Sequence, residues 1–204
     1  MVKTKIAVMV SGGGTNLQAL MDAQKSGVIS DGEIVLVIAS NDKAYALTRA
    51  EKAGIPAVVC SRKVLGSQEA FEAAIMEQLT KYGVELIVLA GFMSILSADF
   101  TSRWPKRILN IHPSLIPSFC GKGFYGLKVH EAALNYGVKV TGATVHFVNE
   151  VPDGGEIVLQ KAVYVQPDDT PEVLQRRVME QAEWIILPQA VQETAATIAK
   201  EKEQ

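Results

Sequence analysis

Cysteine is nearly absent. The 204-residue chain has two, Cys60 and Cys120, and neither lies in a C-x-x-C pattern. Neither a zinc ribbon nor a dithiol redox pair is suggested, and two free thiols in a reducing compartment is the reading they support. Basic excess is missing too. Twenty Lys and Arg against 22 Asp and Glu give a formal charge of -2 and a pI near 6.0. That argues against a nucleic-acid or anionic-membrane partner. Long hydrophobic runs are lacking. The first, Ile6 to Val10, is too short for a signal-peptide core, and none could span a bilayer. These absences together predict a cytoplasmic protein. There is no repeat, low-complexity tract or flexible linker, and no G-x-x-x-x-G-K-[ST] that would cradle ATP.

What is present is a core. Hydrophobic residues make up 48% of the chain, enough to fill one large domain, and the length leaves little room for a second. Buried strands are expected at Ile6–Val10, Ile34–Ala39, Ala57–Cys60 and Leu86–Ala90. Helical spacing separates them at 16–25, 43–52 and 69–82. Such alternation predicts an α/β fold, a Rossmann-like, mostly parallel sheet with helices on both faces. The second half changes character. Runs at 138–147 and 157–164, joined through Pro152-Asp153-Gly154-Gly155, predict an antiparallel addition. A last helix is expected from Pro171, capped by Asp169 or Thr170 and kinked at Pro188.

Three stretches carry chemistry. Ser11-Gly12-Gly13-Gly14-Thr15-Asn16 leads from the first strand into its helix, where backbone N–H groups favour a phosphate. It is not a dinucleotide fingerprint, because Leu17 stands where the third glycine is needed. Asn110 and His112 are two residues apart, so in an extended segment both leave one face, and Pro113 keeps His112 out of helical angles. An amide beside a base is equipment for attack on a carbonyl. Asp153 suits a type I turn, and only partnership with His112 would give it a chemical role. Ala90 to Leu96 reads either as core wall or as an apolar slot for a flat ring. His146, in an apolar run, reads as structural; His130, in a helical segment, as a surface or supporting residue. Glu183 is by default a solvated helix residue. The glycine-rich Ser118–Gly126 segment is a candidate lid.

Asn110-Ile-His112-Pro-Ser-Leu-Ile-Pro, Asp153-Gly-Gly, the glycine loop ending at Asn16 and Ala90-Gly-Phe-Met, in that spacing, resemble the phosphoribosylglycinamide formyltransferases, folate-dependent enzymes of purine synthesis. The resemblance covers nearly the whole chain. It implies one formyltransferase domain, with a phosphate-binding half at 1–107 and a folate-site and catalytic half at 108–204. It implies catalytic roles for Asn110, His112 and Asp153, and binding of glycinamide ribonucleotide by Gly14, Thr15, Asn16 and Glu183. Folate binding would fall on Met93, Ser94, Ile95, Leu96, Asn110, Asn149, Glu150, Val151, Pro152 and Asp153. The co-substrate would be 10-formyltetrahydrofolate, with no metal, nucleic acid or membrane, in a monomer or homodimer. Formyltetrahydrofolate hydrolysis, formyl transfer to another amine and a binding module without chemistry remain as alternatives. A methionyl-tRNA formyltransferase would need a further RNA-binding domain, and a hydrolase an extra N-terminal one.

The chain departs from the family pattern in places. Thr15 replaces a usual serine, Ser94 and Gln68 stand where arginine is expected, and Ala182-Glu183-Trp184 replaces Gln-Glu-His. The spacing from Arg177 to Glu183 is one residue longer, and Ser118–Gly126 exceeds the loop of some relatives.

Overall fold

The computed structural model describes residues 2–203. At its centre is β1 (Thr4–Val10), wholly inaccessible to solvent from Ile6 onward. Alternation sends Ile6, Val8 and Val10 to one face and Ala7 and Met9 to the other, and each set joins a separate core. A strand covered on both sides has to be apolar at every position, which accounts for the unbroken run. The same holds for β2 (Gly32–Ala39) beyond its exposed Glu33, and for β4 (Leu86–Leu89).

One core is closed by α1 (Thr15–Ser26), α2 (Tyr45–Lys52), α7 (Pro171–Val178) and α8 (Trp184–Glu201). The other is closed by α4 (Gln68–Tyr82) and α5 (Ala98–Ser102), through Phe71, Ile75, Leu79 and Phe100. With β3 (Ala57–Val59), β5 (Ile108–His112), β6 (Val140–Phe147) and β7 (Ile157–Tyr164), the sheet runs β3-β2-β1-β4-β5-β6-β7. Strands β1 to β5 pair in parallel; β6 and β7 are antiparallel. The Rossmann-like architecture with an antiparallel addition is therefore the one the alternation predicts.

Details differ. Strand β6 starts at Val140, not Val138, because Gly137 (φ 82) closes α6 (Leu127–Tyr136) and Val138 N still donates to Ala133 O. The short helices α3 (Arg62–Leu65) and α5 are below the length at which periodicity declares itself. Thr170, not Asp169, caps α7, accepting from Val173 N, while Asp169 pairs bidentately with Arg177. The last helix does not break at Pro188. It opens into a π-turn at Met179–Glu183, and Pro188 lies inside α8. The carbonyl that Pro188 leaves without its helical donor is that of Trp184, directly at the seam, so the two irregularities share one place. A π-turn takes up one surplus residue within a helical run.

Candidate active site

The chain runs outward from β1 to β2 and β3, then returns to place β4 on the other side of β1. Loops leaving the carboxyl ends of β1 and β4 diverge there and form a crevice. Ser11 pins them together. Its N–H donates to Gly91 O, its Oγ accepts from Met93 N at 2.9 Å, and its carbonyl accepts from Asn41 Nδ2. Gly14 then caps α1 with φ 70, and a Cβ there would lie 2.7 Å from that of Ala46. Both facts require glycine. Arg49 Nε holds Gly13 O at 2.8 Å, which fixes how the loop presents its backbone.

Asn16, in the first turn of α1, meets the π-turn. Its Nδ2 donates to Glu183 Oε2 at 2.7 Å, and its Oδ1 is buried without a partner. Glu183 is not a solvated helix residue: the π-turn carries it inside, at 6% exposure. Burial pushes its carboxyl up to about 7, against the opposing pull of the Asn16 hydrogen bond. A buried acid and an orphaned carbonyl side by side suit a ligand rich in N–H donors, such as a primary amine.

The second cluster lies on β5 and β6. Asn110 and His112 do share a face, opposite His146 and Thr144. The turn after β6 brings in Asp153. Its Oδ1 is 3.5 Å from Asn110 Nδ2 and its Oδ2 3.5 Å from His112 Nδ1. The turn is not type I. Asp153 follows Pro152 with φ 56, the positive angle of a type II turn, and Gly154 N closes it on Val151 O. That angle aims the carboxylate back over β5. Thr144 Oγ1 steadies the segment beyond, donating to Ser114 O and accepting from Ile116 N.

The Ser118–Gly126 segment reaches both groups. His112 Nε2 lies 2.9 Å from Phe119 O, and Gly121 N donates to Asp153 Oδ2 at 2.7 Å. A carbonyl can only accept, so His112 Nε2 carries hydrogen and Nδ1, facing Asp153, is the atom that takes up a proton. Burial lowers the His112 pKa although Asp153 and Phe119 O oppose it. Burial pushes Asp153 up, but His112 and the Gly121 N–H hold it below the usual carboxylate range.

Beside this cluster opens a slot lined by Leu89, Phe92, Ser94, Leu96, Val148 and Pro152, among others. Ile95, Asn149, Glu150 and Val151 complete its rim. Its floor is the Asn110–His146–Asp153 group. Ala90 to Leu96 is therefore both core wall and cleft wall: Ala90 and Leu96 are buried, whereas Met93 and Ile95 are more than half exposed. Met93 sits outside the slot and contributes its backbone bond to Ser11. Gln68 donates to Ile95 O at 3.0 Å, and Glu72 accepts from Ser97 N and Oγ, both at 2.6 Å, so α4 holds this wall in place. Among the described residues no group of three or more His, Cys, Asp or Glu is placed to hold a metal, and no helix is long and apolar enough to cross a membrane.

A family model described as formyl transferase matches residues 4–191. The chain belongs to the formyl transferase family. Within it, the chain is 46% identical over 184 residues to the phosphoribosylglycinamide formyltransferase of Haemophilus influenzae, covering 90% of this chain and 84% of that one. It is 47% identical over 194 residues to the chicken trifunctional purine biosynthetic protein adenosine-3, covering 95% of this chain but 19% of that far longer protein. The crystal structure of glycinamide ribonucleotide transformylase 1 from Symbiobacterium toebii superposes with a TM-score of 0.88 at 43% identity, over 96% of this chain and 89% of that one.

Two histidines of this family member lie where the sequence did not put them. His146 is part of the cluster: its Nε2 is 3.0 Å from Asn110 Nδ2. His130 is no surface residue. It is fully buried, neither ring nitrogen has a partner, and burial with His112 nearby pushes it down to about 4. The apolar run around His146 concealed the first, since only strand register shows what it faces. For His130 the signal was available in Val129 and Ala133, buried neighbours on the same helix.

Proposed function

We propose that the cleft transfers the formyl group of 10-formyltetrahydrofolate to the primary amine of glycinamide ribonucleotide, a step of purine synthesis, with residues 1–107 and 108–204 acting as one formyltransferase domain. The observation that carries this is that Ser11, which opens the glycine loop, is hydrogen-bonded to Gly91 and Met93 in the segment that walls the slot of the second site. A glycine loop with a buried acid and an unpaired carbonyl suits an amine that carries a phosphate. The Asn110–His112–Asp153 group beside an apolar slot suits a carbonyl borne on a flat ring system.

In this reading the phosphate docks on Gly14, Thr15 and Asn16, and Glu183 with Asn16 Oδ1 receives the amine. The ammonium form cannot attack, and a carboxylate poised at about 7 is matched to taking its proton. The folate ring enters the slot between Ser94–Leu96 and Asn149–Pro152. The amine nitrogen then attacks the formyl carbon. An Asn110 N–H stabilises the oxyanion, and His112 with Asp153 relays the surplus proton from the attacking nitrogen to the departing folate nitrogen. The carbon–nitrogen bond to folate breaks as its nitrogen is protonated. Holding both reactants in one crevice supplies a large part of the acceleration, since the reaction is otherwise bimolecular. The substrate's phosphate and folate's ring need no macromolecular partner.

The test follows deformylated folate by absorbance. Product that forms only with glycinamide ribonucleotide supports transfer. Product formed equally without it supports hydrolysis, and no product with either supports a binding module.

A further inference from the structure

His146 pairs across the sheet with Asn110, and its two ring nitrogens have different neighbours. Nδ1 lies 2.8 Å from the carbonyl oxygen of Phe147. That oxygen can only accept, so Nδ1 carries a hydrogen, and the neutral ring has its lone pair on Nε2. Nε2 lies 3.0 Å from Asn110 Nδ2 and 3.7 Å from Asp153 Oδ1. Only the Asn110 contact is within hydrogen-bond range. The ring therefore accepts from Asn110. Turned the other way, the amide would set its own oxygen against the imidazole lone pair. The second Asn110 N–H has nothing better than a 3.5 Å contact with Asp153 Oδ1, at the weak end of hydrogen bonding.

The local backbone is built for this. The β6–β7 register shifts between Val145 and His146, so that Val145 faces Leu159 and His146 faces Ile157. One surplus residue on β7 at this point is a bulge, which bends β7 and increases the local twist opposite His146. His146 is 1% exposed, so solvent does not supply a competing partner for the ring.

We infer that His146 is a positioning residue which, as its Nδ1–H tautomer, clamps one Asn110 N–H so that the second N–H, and not the amide oxygen, faces the formyl oxygen. This deepens the formyl-transfer reading and rests on it. No bond forms or breaks at His146. Without an acceptor at this position the carboxamide has two orientations, and one of them presents a lone pair to a developing negative charge.

Two measurements test the clamp. The ring 15N shifts of His146 in the unmodified protein report the tautomer directly, with Nδ1 protonated and Nε2 bare as the expected result. A double-mutant cycle with Asn110→Ala reports the coupling. His146→Leu should lower kcat by about tenfold or more, up to the loss of a whole oxyanion donor, with both KM values little changed. In the Asn110→Ala background the same change should cost almost nothing. His146→Gln, which keeps an acceptor, should recover part of the rate and stands in if the leucine variant does not fold. A ring protonated at Nε2, or a His146 loss that stays undiminished without Asn110, overturns the inference. A wild-type protein with no ribonucleotide-dependent product sinks the transfer reading instead, and the ring shifts still decide the clamp.

Discussion

Asn110 and Glu183 make the sharpest residue-level predictions, because one is placed to act on the transition state and the other on the substrate. Asn110→Ala should lower kcat on the order of a hundredfold, the usual loss for a single oxyanion donor, while KM for each substrate moves little. Near-normal turnover would remove Asn110 from the mechanism. Glu183→Gln should raise KM for the ribonucleotide. It should also stabilise the protein at high pH. The carboxyl is raised from 4.5 to about 7 in the folded state, so between those values the native protein holds a proton that the unfolded chain has released. Stability from this group is complete below about pH 4.5 and declines as pH rises through 7. The glutamine variant escapes the decline, and its gain at pH 8 is at most about 3 kcal/mol. Thermal melts at pH 5 and pH 8 check this; an equal shift of Tm at both would contradict it. The amide–imidazole pair on β5 was readable from two-residue spacing alone. Glu183's burial was not, because it depends on a π-turn that no periodicity encodes.

Among the elements, the Ser118–Gly126 segment is tied to the proposed catalytic group at two points, in addition to the bond that Ser118 O accepts from Ser114 Oγ and the edge contact of Phe119 with Tyr136. Phe119 O sits on His112, and Gly121 N sits on Asp153. Phe119 and Gly121 both have positive φ, at 51 and 84, conformations that the surrounding contacts must hold in place. Asp153→Ala removes one tether outright. The expected outcome is faster tryptic cleavage after the exposed Lys122, with the core strands unaffected. Equal cleavage rates in the variant and the parent would show that the loop does not depend on the carboxylate. Glycine content marked this stretch as special, but its tethers could not be foreseen. One joins residues 32 positions apart and depends on the type II turn at Asp153 rather than the type I turn its sequence favours; the other depends on the positive φ of Phe119.

For the molecule as a whole, the parallel half of the sheet was written plainly in continuous apolar runs, and the antiparallel addition in its turn chemistry. Strand order was not, because local sequence does not state that β4 returns to the far side of β1. That order predicts a gradient of protection. Amides of β1 and β4 should exchange only through global unfolding, whereas those of the short edge strand β3 should exchange through local fraying. Hydrogen exchange read by mass spectrometry checks it, and β3 protected as strongly as β1 would overturn it.

The widened turn at Met179–Glu183 sets the angle between two halves of one helical rod. Before it, α7 leans on α6; after it, α8 lies along α1, β1 and β2. Each residue of an α-helix advances about 100° and 1.5 Å. Excising a single residue from this turn would thus straighten the rod at the cost of spinning one half by more than a quarter revolution, and the acid at 183 and the apolar seam of α8 could no longer both point inward.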